Sequence, residues 1–75
     1  MNARTAKIYN FIAEFIEREG YSPTLREIAD GCGISAQSNV FYHVATLKGM
    51  GLITQQFKRF RTIRPTDPSF RMEAP

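Results

Sequence analysis

The sequence predicts a mainly α domain closed by a small β-hairpin. Three observations carry that expectation. Apolar side chains recur at helical period between Ile8 and Ile16. Two shorter helical segments follow, separated by a glycine-containing turn. Beyond them lies a basic stretch rich in β-branched residues that has no helical period.

The first helix is expected from about Ala3 to Glu19. Ile8, Phe11, Ile12, Phe15 and Ile16 fall at i, i+3, i+4, i+7 and i+8, one continuous apolar face. Asn2 is a suitable N-cap, and Gly20 supplies the left-handed residue that ends the helix. Glu14, Glu17 and Arg18 make the solvated side.

In "YSPTLREIADGCG" Pro23 forces Ser22 out of helical geometry. Thr24 then starts a second helix, and Glu27 three residues later completes a capping box. Leu25, Ile28, Ala29 and Cys32 supply its buried side, with Cys32 read as a small core residue. Gly31 and Gly33 stop it. A turn through Cys32-Gly33-Ile34-Ser35 leads to a third helix that begins near Ala36, capped by Ser35 or Ala36, and runs to Gly51. Two short helices across such a turn are the helix-turn-helix signature.

In "LITQQFKRFRTIRP" the segment Leu52, Ile53, Gln55 and Phe57 is expected as one strand. Arg61, Thr62 and Ile63 form the second, with Lys58 and Arg59 near the turn. Residues 1–64 therefore make one domain. The remainder, residues 65–75, has three prolines and reads as a flexible, loosely held tail.

The third helix holds the functional signal. With Val40 at the centre of the buried stripe, Val44 and Leu47 lie within about 40° and His43 about 60° to one side. Phe41 lies about 100° away, at the edge. Ser38, Tyr42, Ala45 and Gly49 lie within about 40° of directly opposite. The outward face of Ser38, Asn39, Tyr42 and Ala45, flanked by Gln37 and Phe41, has no formal charge. It carries hydrogen-bonding groups and aromatic rings where a solvated helix would carry Glu and Lys. A helix fits the major groove of B-DNA, where Asn and Gln bond adenine and an aromatic ring meets a thymine methyl.

Charge placement agrees with a polyanionic partner. The net charge is +3, and of it residues 1–39 contribute −1 while residues 40–75 contribute +4. The chain has 75 residues, 43% of them hydrophobic, and buries only about 60% of its unfolded surface. That leaves little room for an enclosed substrate pocket. A lone cysteine excludes an intramolecular disulfide, and the sole histidine has no second ligand at metal-binding spacing. His43 is read as a hydrogen-bonded residue at the core boundary. No serine or cysteine has a base and an orienting partner, so the chain is not expected to be an enzyme or to need a cofactor. No membrane span is expected either.

The strings "GYSPTLREIADGCGIS", "SNVFYHVATLKGMGLI" and "RTI" resemble the N-terminal DNA-binding domain of LexA-type SOS repressors. Pro23, Thr24, Glu27, Ile28, Ala29, Gly33, Ser38, Val40, His43, Leu47, Gly51, Leu52 and Ile53 stand at positions of that family's pattern. The resemblance covers about residues 2–64. It implies a winged helix-turn-helix of three helices and a two-stranded wing. Ser35 through Tyr42 would open the recognition helix, and the family's base contacts fall on Ala36, Ser38, Asn39, Phe41 and Tyr42. The Phe41-Tyr42 pair departs from the small, polar or acidic residues expected there, so the family's operator sequences do not transfer. LexA-type repressors continue into a self-cleaving Ser/Lys protease domain that also dimerises. These residues carry neither its cleavage site nor its dyad, and the start at Met1 favours a stand-alone bacterial or phage regulator over an excised domain.

The resulting expectation is a sequence-specific regulator of double-stranded DNA, a repressor acting in the bacterial cytoplasm. Gln37 and the family's contact positions read bases. Lys58, Arg59, Arg61 and Arg64 hold phosphates, with Thr24 and Arg26 adding contacts at a helix N-terminus. Two copies are expected on a palindromic operator, as a homodimer. The competing expectation is a protein-interaction module presenting Phe41, Tyr42, Phe57 and Phe60 to a protein partner.

Overall fold

The computed structural model describes residues 3–56 and 58–73. Three helices, α1 (Ala3–Glu19), α2 (Leu25–Cys32) and α3 (Gln37–Gly49), precede strands β1 (Ile53–Thr54) and β2 (Arg64–Pro65). The strands pair antiparallel, Ile53 opposite Pro65 and Thr54 opposite Arg64. Mainly helical with a two-stranded wing, this is a winged helix-turn-helix.

Helix α1 buries Ile8, Ile12 and Phe15 as the apolar period predicts, while Phe11 and Ile16 are half-covered. It also buries Tyr9 completely. At its end Gly20 takes φ +83° and its N–H donates to the Ile16 carbonyl at 2.9 Å. The expected Asn2 cap lies outside the described residues.

The capping box of α2 is complete. The Glu27 N–H donates to Thr24 Oγ1 at 3.1 Å, and the Thr24 N–H donates to Glu27 Oε1 at 2.9 Å. Gly33 at φ +70° turns the chain out, and the Ile34 N–H closes the helix end on the Ala29 carbonyl at 2.8 Å. Helix α3 is capped at Ala36, without a side-chain hydrogen bond, and ends at Gly49 with Met50 as C-cap, a little before the expected Gly51. Its inner residues Val40, Val44 and Leu47 join Ile8, Tyr9, Ile12, Ile28, Ile53 and Ile63 in one core. That core fixes the rotation of α3 about its axis.

The wing departs from expectation. The first strand shortens to Ile53–Thr54, and the second lies at Arg64–Pro65 instead of Arg61–Ile63. The cause is what holds each end. Ile53 and Ile63 are both buried, and the Thr66 N–H and hydroxyl tie back to the Leu52 and Gly51 carbonyls at 3.0 and 2.9 Å. The described residues between the strands form a loop organised by Thr62, whose hydroxyl accepts from the Gln56 N–H at 3.0 Å and donates to the Arg59 carbonyl at 3.2 Å. Lys58 and Arg61 adopt left-handed backbone, φ +58° and +55°. The aromatic expected at Phe57 lies outside the described residues.

Residues 66–73, expected as a loose tail, lie against α1. Tyr9 donates its hydroxyl to the Asp67 carbonyl at 3.1 Å, and the Phe70 ring meets the Tyr9 ring edge-on at 5.7 Å. The Asn10 amide pairs with the Met72 backbone, donating at 2.6 Å and accepting at 2.8 Å. Arg71 meets the carboxylates of Glu17 and, at 3.8 Å, Glu14. These side chains from α1 were not legible as partners of a proline-rich segment so far along the chain.

Candidate nucleic-acid interface

The outer face of α3 is set by its inner one. Because Val40, Val44 and Leu47 are at most 1% exposed, Ser38, Asn39, Phe41, Tyr42 and Ala45 project outward, and all five are exposed. Phe41 is 60% exposed and Tyr42 67%. Phe41, expected at the edge of the buried stripe, is thus nearly as open as Tyr42. The Tyr42 ring stands edge-on to the His43 ring at 5.4 Å. His43 turns inward, its Nδ1 2.8 Å from the Thr5 hydroxyl. Burial, with Arg4 nearby, holds its pKa below the ordinary imidazole value. Among the described residues no three His, Cys, Asp or Glu side chains converge on a metal position.

Beside α3 lies a cleft of about 470 Å³ between the N-termini of α2 and α3 and the wing loop. Its lining brings together Thr24, Arg26, Gln37, Lys58, Arg59 and Arg61, residues distant in sequence. Apolar atoms of Pro23, Leu25 and Ile63 make its remaining wall, and Phe60, 90% exposed, stands at it as well. Ser35 and Ala36 form the turn entering α3, whose first turn has no side-chain cap. Arg64 is exposed on β2 and does not line the cleft. Gln55 does line it, held by Lys48 Nζ at 3.3 Å, and nothing in its place in the predicted strand had marked it.

Thr24 and Arg61 are among the cleft residues already engaged. The Thr24 hydroxyl accepts the Glu27 N–H. Arg61 forms a two-pronged pair with Glu27, Nη1 to Oε1 at 2.8 Å and Nη2 to Oε2 at 3.2 Å. The Arg61 hydrogen bonds, followed by that from the Thr24 N–H, hold the Glu27 carboxyl below its usual pKa. The lining residues bring no nucleophile and base together. They offer a shaped helix face with neutral hydrogen-bonding groups, and cations across a gap from it.

Comparison with known proteins adds an independent line. The family model described as LexA DNA binding domain matches residues 1–62. A LexA repressor of Koribacter versatilis is 32% identical over 73 residues, covering 97% of this chain and 35% of that protein. A LexA repressor of Clostridium botulinum (strain Hall) is 37% identical over 67 residues, 89% of this chain and 33% of its own length. That of Roseiflexus sp. (strain RS-1) is 41% identical over 64 residues, 85% and 29%. The chain spans about a third of the length of the curated relatives it matches.

Proposed function

Because this chain belongs to the LexA DNA-binding domain family, we propose that it is a sequence-specific regulator of transcription, a repressor, that reads the major groove of duplex DNA with α3. The observation that carries the reading is the uncharged, exposed face of Ser38, Asn39, Phe41 and Tyr42 beside a cleft lined by Arg26, Lys58 and Arg59. One strand of the duplex runs through that cleft. Its phosphates meet Lys58 and Arg59 on one side and Arg26, Thr24 and the uncapped start of α3 on the other. Arg64 meets the backbone further along. Held so, α3 places Asn39 and Gln37 against adenine edges and the rings of Tyr42 and Phe41 against thymine methyls.

A module of this size buries roughly 600–1,000 Å² on DNA and binds weakly alone. Two copies on half-sites related by a two-fold axis give the affinity a repressor needs, and blocking of the promoter follows from occupancy. The exposed rings of Phe41, Tyr42 and Phe60 also suit a protein partner. The cationic cleft beside them favours DNA.

Selection of binding sites from random duplexes tests the proposal, followed by titration of the preferred site against salt. Lys58→Ala and Arg59→Ala together should weaken binding to every duplex. They should lower the log–log salt slope by roughly 1.8, at about 0.9 for each phosphate no longer neutralised. Failure to enrich any sequence, or a slope untouched by the double substitution, sinks it.

A further inference from the structure

Arg61 is a wing cation, and by charge alone it belongs with Lys58 and Arg59 as a phosphate ligand. Its surroundings point elsewhere. Both terminal nitrogens are taken by Glu27, at 2.8 and 3.2 Å, and Nη1 also donates to the Ser22 carbonyl at 3.2 Å. The flat face of the guanidinium lies over the Tyr21 ring, 4.7 Å from its centroid. Three residues of the segment leading into and opening α2 thus grip one side chain of the wing loop. A planar fork matches a carboxylate in both shape and charge, which an ammonium cannot do.

Other ties of the wing lie at its base or within the loop: Thr66 to Gly51 and Leu52, Lys48 to Gln55, and Thr62 to Gln56 and Arg59. Its ladder is two residues long, and of the described loop residues only Ile63 is buried. Arg61 takes left-handed backbone, so the chain turns sharply where it is gripped. The same Glu27 oxygen that receives Nη1 receives the Thr24 N–H. One carboxylate therefore closes the capping box of α2 and holds the wing.

We propose that Arg61 is the positioning residue of the wing, latched to Glu27 and covered by Tyr21, and sets where Lys58 and Arg59 stand relative to α3. It spans the inner wall of the cleft and binds no phosphate. This rests on the DNA-binding reading for its consequence, though not for the latch itself.

The decisive substitution is Glu27→Gln in the full chain. Glutamine still serves in a capping box, so α2 keeps its start. Two readouts are taken. Trypsin cleavage after Lys58 and Arg59, measured without DNA, should become several-fold faster while the melting temperature holds. Affinity for duplex DNA at fixed salt should fall several-fold. Removing a negative charge beside DNA favours binding, so a loss arises only from a displaced wing. A phosphate-binding Arg61 predicts the opposite, since Glu27→Gln would release its guanidinium to the backbone and tighten the complex. Arg61→Lys gives the second discriminator. It keeps the charge and loses the fork, so the latch predicts affinity reduced as far as in Arg61→Gln, and a double Glu27→Gln/Arg61→Gln chain no worse than either alone. Unchanged cleavage in Glu27→Gln overturns the latch whatever DNA does. Faster cleavage with tighter binding, or full affinity in Arg61→Lys, overturns it too. A wild-type chain that binds no duplex refutes the DNA reading, and the cleavage rates still decide the latch.

Discussion

Tyr42→Ala separates the recognition face from the core more sharply than any other single change. Tyr42 is 67% exposed, so about a third of it is covered, and the His43 ring stands edge-on to it 5.4 Å away. A fully buried aromatic side chain covers 150–250 Å², which makes the covered part roughly 50–80 Å². At about 25 cal/mol per Å² its removal costs about 1.3–2 kcal/mol, an upper figure for a realistic unfolded chain. Alanine returns about 0.5 kcal/mol through helix propensity. The net is roughly 1 kcal/mol, or about 4–8 °C in melting temperature for a domain of this size. Binding should suffer more. Removing one base contact costs about 1–3 kcal/mol at the preferred site, roughly 5- to 150-fold, while affinity for random duplex stays level. Phe41, 60% exposed, should behave in the same way with a slightly larger stability loss. Thermal melts and titrations against selected and random duplexes measure all of these quantities. Equal affinities for the selected site before and after Tyr42→Ala would remove the ring from the groove and favour a protein-facing role. A melting temperature lowered by far more than this range would mean that the ring anchors the fold.

Two further outcomes follow from the interior. The His43 pKa is depressed by burial and then by Arg4, so the unfolded chain takes up the proton first. Stability is full above about pH 6.5 and declines as pH falls through the folded value; because this is the sole histidine, His43→Gln should flatten urea midpoints measured between pH 8 and 5, and an unchanged slope would count against the burial argument. At Gly31 a Cβ would stand well inside van der Waals distance of Phe11 Cε2 and Cζ, so Gly31→Ala should lower stability by up to about 2 kcal/mol, the strain of overpacking, about 1–3 kcal/mol, outweighing about 1 kcal/mol of helix propensity. A chain more stable than wild type in urea would show that the Phe11 ring moves aside without cost.

What could be read from sequence divides by range. The bounds of α1 and the start of α2 follow from neighbours within a few residues: Gly20 after Glu19, Thr24 before Glu27. The outward face of α3 follows equally, because Val40, Val44 and Leu47 are one another's neighbours on the same helix. Tyr9 was not legible. By period it sits beside the stripe, and it is buried because Asp67 and Phe70 cover it from the other end of the chain. The second strand begins later than its residues suggest for a related reason. Thr62 has the β-branching of a strand residue, yet its hydroxyl is used to organise the loop, and pairing begins only at Arg64.

The same division bears on how the interface can vary. Ser38, Asn39, Phe41 and Tyr42 are exposed and none belongs to the core cluster, so substitutions there should have little effect on how α3 sits. The fold accommodates two large rings at Phe41 and Tyr42 for this reason. The wing is constrained differently. Its cations stand where they do through Arg61, Glu27 and Tyr21, so a change at Glu27, outside the reading face altogether, reaches the phosphate side of the cleft. On the proposed reading, base choice is a local property of one helix face, whereas backbone affinity is a property of the contact between α2 and the wing. The two can be altered separately: α3 substitutions should shift the preferred sequence at constant salt slope, and latch substitutions should weaken every duplex alike.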